Sequence, residues 1–214
     1  MTRIVVVSIG PGNINYITEA AKKRLQESDL IVGSLRQIED IKSICSQECC
    51  FHIYKKITEI KTVIDENLKK QISILVSGDS GYYSLVPYLK KNLQEIFTVI
   101  PGLSSFQYLF SKLGENWQEY HLGSVHGRKL DYSKVLSEEN QGLVLLTDKE
   151  ENPKKIAKEL YEKGFRGIEL IVGENLSYDN EKISFYFIED WEKMPEYFEM
   201  NVCICKKGEN YAYL

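Results

Sequence analysis

Three apolar runs in the first half of the chain each stop at a glycine-bearing turn, and this pattern narrows the fold sharply. Ile4-Val5-Val6-Val7-Ser8-Ile9 runs into Gly10-Pro11-Gly12, Ile72 to Val76 into Ser77-Gly78-Asp79-Ser80-Gly81, and Phe97 to Ile100 into Pro101-Gly102. The first of these runs, rich in β-branched residues, reads as a buried strand of a parallel sheet, and the other two read as strands as well. Between them lie helical patterns: Thr18 to Glu27 with Ala20, Ala21 and Leu25, a stretch through Ile38, Ile41 and Ile44 that Ser34 can cap, and a stripe of Ile57, Ile60, Ile64 and Leu68. Leu30 to Val32 and Phe51 to Ile53 read as further strands, and Ser104 can start a helix through Phe110 and Leu113.

Strand–helix alternation with short turns predicts parallel strands joined by crossovers, hence an open α/β sheet. Ligands bind such sheets beyond the carboxyl ends of the strands. One glycine turn there is only a turn. Three at equivalent ends point to a shared site.

Gly114 to Tyr120 is polar and without apolar periodicity, so a boundary is expected there, between domains at 1–113 and 114–214. Beyond it, Leu143 to Leu146 and Ile168 to Val172 read as strands and Pro153 to Lys163 as a helix with proline near its first turn. Lys182 to Phe187 reads as a strand with Ile183, Phe185 and Phe187 on one face, and Val202 to Cys205 as the last strand before a polar tail. The expected class is two α/β domains.

Composition removes several function classes. A net charge of −4 argues against a broad nucleic-acid surface. No apolar run reaches the ~18 residues of a membrane span, and the N-terminal run is too short for a signal-peptide core. The expectation is a cytoplasmic protein with neither nucleic acid nor membrane as partner. Only five of its 27 basic residues are arginines: Arg3, Arg24, Arg36, Arg128 and Arg166. An arginine inside a motif therefore stands out, because its planar fork binds carboxylates bidentately. The five cysteines (Cys45, Cys49, Cys50, Cys203 and Cys205) are an odd set without a C-x-x-C pair. They read as buried reduced thiols rather than disulfides or, with His52, a metal site. Cys203 and Cys205 are expected on one strand face.

The glycine turns do not spell a dinucleotide site. Asn15 occupies the third glycine position of G-x-G-x-x-G, and the second strand ends at Val32-Gly33 without a carboxylate. G-x-x-x-x-G-K-[ST] and G-x-S-x-G are also missing from the sequence.

What the turns do resemble is the tetrapyrrole methylase family. Ser8-Ile9-Gly10-Pro11-Gly12-Asn13 with Tyr16-Ile17-Thr18 is similar to its opening, Ser77-Gly78-Asp79-Ser80-Gly81-Tyr82-Tyr83-Ser84 to its second signature, and Val99-Ile100-Pro101-Gly102-Leu103-Ser104-Ser105 to its third. Ser124-Val125-His126-Gly127-Arg128, Leu145-Leu146-Thr147-Asp148 and Gly173-Glu174-Asn175-Leu176-Ser177 with Lys182-Ile183 resemble one branch of that family, as does Val32-Gly33 with Leu35-Arg36. That branch methylates carbon 5 of cobalt-precorrin-7 to give cobalt-precorrin-8, a step of cobalamin biosynthesis.

The resemblance implies an enzyme, a homodimer, with S-adenosylmethionine as methyl donor in a cleft between two α/β domains. It implies cofactor contacts from Pro11, Ser77, Gly78, Asp79, Tyr82, Ser104 and Ser105 in the first domain, and from Thr147, Asn175 and Leu176 in the second. Corrin precursors are rich in carboxylates, so Ser124, His126 and Arg128 are the expected substrate contacts. His126 is also a candidate general base, although an enamine-like carbon needs little activation. Asp79 read alone is a turn-forming or capping aspartate and Ser104 a helix cap; both roles can coexist with cofactor binding. No resident metal is expected.

Two departures stand out. The second signature usually reads Gly-Asp-Pro, and Ser80 in place of the proline is expected to loosen the turn. Some relatives carry a second domain for carbon 15 and a decarboxylation, so a separate methyltransferase is expected to take that step. Rival readings are a methyltransferase of the same fold acting on another corrin, a protein side chain or RNA, and a non-catalytic nucleotide-binding module.

Overall fold

The five parallel strands expected of the first half form one sheet, in the order β3-β2-β4-β1-β5. A computed structural model describes residues 3–213. By spatial grouping the chain divides into two units, Met1–Ser105 and Phe106–Leu214.

In the first unit β1 is Ile4–Ser8, β2 Leu30–Gly33, β3 Cys50–Ile53, β4 Ile72–Val76 and β5 Phe97–Ile100. Every pairing is parallel. Alternate residues of one strand face opposite sides, and each side has its own core. Val5, Val7 and Ile31 pack with Ala21, Leu25, Ile38 and Ile41 of helices α1 (Glu19–Gln26) and α2 (Leu35–Ile41). Ile4, Val6, Val32, Ile72, Ile74 and Val76 pack with Ile60, Val63, Ile64 and Leu89 of α3 (Glu59–Glu66) and α4 (Val86–Asn92).

Sequence sets the helix starts. Thr18 Oγ1 accepts from Ala21 N at 3.2 Å, capping α1. Ser34 and Gln37 make a reciprocal capping box on α2. The expected stripe on α3 is shorter than its spacing suggests. Ile57 and Leu68 lie outside the helix and are exposed, and Val63 joins Ile60 and Ile64 inside.

Beyond β1 the chain crosses the face of α1 and α2; beyond β4 it crosses the opposite face, through α4. The neighbouring strands β1 and β4 therefore send their helices to opposite sides. Such a switch point opens a crevice at the strands' carboxyl ends, where the first two glycine turns lie.

The second unit begins at Phe106, inside helix α5 (Ser105–Leu113), whereas the expected boundary at 114 had assigned the whole helix to the first domain. Its buried aromatics account for the grouping. Phe106 meets the Trp117 ring edge-on at 5.4 Å, and Phe110 meets Tyr120 at 4.9 Å. A second five-stranded sheet has the order β6-β7-β10-β8-β9, with β6 Tyr120–Ser124, β7 Gly142–Leu146, β8 Phe165–Glu174, β9 Lys182–Phe187 and β10 Asn201–Tyr213. Only β6–β7 is parallel; the other three pairings are antiparallel. One face packs on α6 (Tyr132–Ser137) and α7 (Pro153–Glu162) through Leu136, Ile156, Leu160, Leu170, Val172, Cys203 and Cys205.

Several expectations change. The tail after Cys205 is not loose: β10 runs on through a register shift and pairs again at Ala212 with Arg166. It is also central in its sheet. Ile183, Phe185 and Phe187 do share a face, but Phe185 is 55% and Phe187 52% exposed, whereas Tyr186 turns toward the core.

The cysteines divide too. Cys49, Cys203 and Cys205 are buried, Cys45 is half-buried and Cys50 is exposed. Burial pushes the Cys45 thiol up to about 12 and that of Cys49 up to about 11, so both stay protonated and poorly nucleophilic. No helix among the described residues is long and apolar enough to cross a membrane.

Candidate functional site

The first two glycine turns meet at the switch point. Gly78 N donates to Gly10 O at 2.7 Å, and Gly10 N donates to Gly78 O at 3.2 Å, a two-residue bridge just past the ends of β4 and β1. Gly78 holds this position with φ +67°, a conformation that L side chains rarely adopt.

The third turn is pressed against both. A Cβ on Gly102 would lie 2.7 Å from Gly78 O and 2.7 Å from Ser8 Cβ. Asp79 fastens the pair from its side chain: Oδ2 accepts from Gly81 N at 3.0 Å and Oδ1 from Gly102 N at 3.2 Å. The turn-forming role read for Asp79 is thus real, and it extends across two loops.

Ser80 does the opposite of what was expected of it. Its backbone N donates to the buried Ser8 Oγ at 3.0 Å, a bond that a proline cannot make. Ser84 Oγ donates back to Ser80 O in a short bond. The substitution ties the turn to β1 rather than loosening it.

Around these backbones stand the other residues expected in this unit. Pro11 and Ser104 are buried, Tyr82 is half-buried with its ring edge-on to Tyr83, and Ser77 is exposed. Ser105 is half-buried at the first position of α5 and is the last residue of the first unit.

Ser77 has partners that sequence reasoning did not assign: Arg36 Nη2 donates to its Oγ at 2.9 Å and Gln37 Nε2 at 3.0 Å. The available signals were the scarcity of arginine and the resemblance of Val32-Gly33 with Leu35-Arg36 to one branch of the family.

The expected residues of the second unit gather at the ends of β6 and β7. Val125 N donates to Leu146 O at 2.8 Å, which starts the loop Val125 to Arg128 beside β7. Buried Ser124 accepts from His126 N at 3.3 Å, and His126 Nδ1 lies 3.0 Å from Thr147 O. A carbonyl only accepts, so Nδ1 is the donor in this contact.

Asp148 anchors the same loop, its Oδ2 accepting from Gly127 N at 2.8 Å while Oδ1 accepts from Glu151 N and Glu150 N. These backbone donors, Glu151 first and then Gly127, hold its carboxyl below the ordinary carboxylate range. Thr147 is buried and donates through Oγ1 to Asn201 Oδ1 at 2.7 Å. His126 and Arg128 are exposed.

Asn175 lies in the turn after β8 with φ +47° and Ser177 with φ +73°, while Leu176 is buried between them. Asparagine tolerates this conformation better than most side chains. Asn175 N is fixed to Met200 O at 2.8 Å.

The glycine turns, the switch-point crevice and the second sheet together make the pattern of one family. Residues 3–190 match the family described as Tetrapyrrole (Corrin/Porphyrin) Methylases. This chain belongs to the tetrapyrrole methylases. A relative from Methanocaldococcus jannaschii, named "Probable cobalt-precorrin-7 C(5)-methyltransferase", is 32% identical over 213 residues, covering 96% of this chain and 99% of its own.

Two crystal structures show the same fold at low sequence identity. The precorrin-6Y methylase from Archaeoglobus fulgidus superposes with a TM-score of 0.76 at 18% identity, over 97% of this chain and 99% of that one. The uroporphyrin-III C-methyltransferase from Thermus thermophilus, solved with S-adenosyl homocysteine, gives 0.74 at 18% identity, over 95% and 92%. Among the described residues of this tetrapyrrole methylase, no group of three or more His, Cys, Asp or Glu is placed to hold a metal ion.

Proposed function

We propose that this tetrapyrrole methylase transfers a methyl group from S-adenosylmethionine to carbon 5 of cobalt-precorrin-7, giving cobalt-precorrin-8. The observation that carries the reading is the end-to-end likeness to the M. jannaschii relative of that name. The local geometry of the first unit supports the cofactor part of this reading. Gly10, Gly78 and Gly102 let three turns pack against one another at the carboxyl ends of the strands, where ligands of such sheets bind.

In this reading Pro11, Ser77, Gly78, Asp79, Tyr82, Ser104 and Ser105 serve the cofactor from one set of loops and Thr147, Asn175 and Leu176 from another. S-adenosylmethionine supplies an electrophilic methyl carbon and leaves as S-adenosylhomocysteine. The protein's task is then chiefly alignment. Asp79 holds the second and third turns in register. Asp148 and Ser124 hold the loop that presents His126 and Arg128. Arg128 binds a peripheral carboxylate of the tetrapyrrole. His126 binds a second carboxylate or, through Nε2, takes the proton that the ring gives up.

The protein is proposed to act as a homodimer in the cytoplasm on this small-molecule substrate. Its charge of −4 supports the absence of a nucleic-acid partner.

Two measurements test the assignment. Calorimetry is expected to show binding of S-adenosylhomocysteine and none of NAD; the reverse pattern overturns the cofactor assignment. Incubation with labelled S-adenosylmethionine and a panel of corrin intermediates, followed by mass spectrometry, is expected to label cobalt-precorrin-7 in preference to the others. Preferential labelling of a different intermediate overturns the substrate assignment.

A further inference from the structure

Ser77 closes β4, and its hydroxyl is held in an unusual way. Helix α2 starts directly after β2, which pairs with β4, so the first turn of α2 lies beside Ser77. Gln37 is buried and uses both ends of its amide. Its Oε1 accepts from Ser34 N at 2.8 Å, which leaves Nε2 to donate to Ser77 Oγ at 3.0 Å. Arg36 Nη2 donates to the same oxygen at 2.9 Å.

A hydroxyl has two lone pairs and one proton. With both lone pairs taken by N–H donors, the proton points away from Arg36 and Gln37, and Ser77 is an exposed residue. The protein has aimed a donor outward.

Beside it lies a fixed cation. The Arg36 guanidinium is paired to the nearly buried Asp40 carboxylate at 3.4 Å, while 40% of its own side chain stays exposed. A planar fork next to an aimed hydroxyl matches the two oxygens of a carboxylate. A cationic group would meet a like charge and a proton.

We propose that Arg36 and Ser77 form a carboxylate-binding pair, with Gln37 as the positioning residue that sets the direction of the Ser77 proton. The proposal rests on the reading above that Ser77 faces the ligand. It adds the chemical group that is read there. Two ligands of the assigned reaction bear that group: the amino-acid end of S-adenosylmethionine and the acetate and propionate arms of the tetrapyrrole.

Gln37→Glu is the discriminating variant. A glutamate still accepts from Ser34 N, so the capping box survives. It has no N–H for Ser77, whose proton must turn inward to meet the new carboxylate.

Wild type, Ser77→Ala, Gln37→Glu, Arg36→Ala and Arg36→Lys are compared by S-adenosylhomocysteine calorimetry, by KM and kcat with cobalt-precorrin-7, and by melting temperature. A charge-assisted bond predicts that Ser77→Ala, Gln37→Glu and Arg36→Ala each weaken one ligand about ten- to a hundredfold, with Arg36→Lys recovering part. Melting temperatures should change little for Ser77→Ala and Gln37→Glu, whereas Arg36→Ala also unpairs the nearly buried Asp40, so its affinity loss is read against Arg36→Lys, which keeps that charge. Weakening confined to KM for the corrin assigns the pair to a tetrapyrrole arm. Weakening of S-adenosylhomocysteine assigns it to the amino-acid carboxylate. Ligand affinities that stay at the wild-type value, or that fall only in step with melting temperature, overturn the proposal. A wild type that binds S-adenosylhomocysteine but leaves cobalt-precorrin-7 untouched contradicts the assigned reaction, and S-adenosylhomocysteine affinity alone then decides the pair.

Discussion

Asp79 concentrates two loops on one carboxylate, and its removal should show it. Asp79→Ala leaves Gly81 N and Gly102 N without their acceptor. An unsatisfied donor costs about 1–3 kcal/mol where it is shielded from water, so S-adenosylhomocysteine affinity should fall about tenfold or more. Asp79→Asn keeps one acceptor and should fall between the two. Calorimetry on the three proteins measures it, and unchanged affinity in Asp79→Ala contradicts the role. Arg128 should behave differently. Arg128→Ala is expected to lower kcat/KM for the corrin about ten- to a hundredfold with S-adenosylhomocysteine affinity unchanged. Arg128→Lys should restore only part, because a point charge replaces the fork. An arginine merely pairing on the surface would change stability by under ~1 kcal/mol and leave the kinetics alone. Much of this was legible in the sequence, since the motifs name Gly78, Asp79 and Thr147 directly. The partners of Ser77 and Ser8 were not, because Arg36, Gln37 and Ser80 reach them across strands that only the folded sheet brings together.

At the level of turns and strands, close approach dominates. Gly102→Ala would force a Cβ to 2.7 Å from Gly78 O and from Ser8 Cβ, a crowding worth about 1–3 kcal/mol. Melting temperature and S-adenosylhomocysteine affinity should therefore fall together, and a protein unaffected in both would refute the packing of the third turn. Asp148 adds a pH dependence. Its carboxyl is depressed in the folded state, so its contribution to stability is present above its unfolded value of ~3.9 and is lost as pH falls through the lower folded value. Asp148→Asn should melt below wild type at neutral pH, and the gap should close below about pH 4. A gap constant with pH contradicts the ionised anchor. The elements that sequence periodicity left unread share a cause, which is weak or interrupted burial. In α4 only Leu89 is fully buried, and β6 places His121 and Gly123 where a strand usually shows branched apolar residues. The end of β10 is hidden in sequence by Lys206 to Asn210, a polar stretch that the register shift carries before pairing resumes at Ala212. Such pairing depends on the opposing strand and leaves no local periodicity.

For the whole molecule, two units of nearly equal length each supply a sheet, and the first contributes the switch point where its own glycine turns meet. The centre of the first sheet was legible because β1, β2 and β4 are buried on both faces and read as continuous apolar runs. The second was harder to order, because a mixed sheet pairs β10 between β7 and β8, strands that precede it in sequence. The proposed homodimer predicts a mass about twice 24.8 kDa by light scattering at micromolar concentration; a monomer there contradicts it. The central claim is the carbon that receives the methyl group. The direct measurement is incubation of the protein with cobalt-precorrin-7 and S-adenosylmethionine bearing a carbon-13 methyl, with the product examined by mass spectrometry and carbon NMR. The account predicts a single labelled methyl, attached at carbon 5. A labelled methyl at any other ring position, or no transfer by a protein that binds S-adenosylhomocysteine, would contradict it.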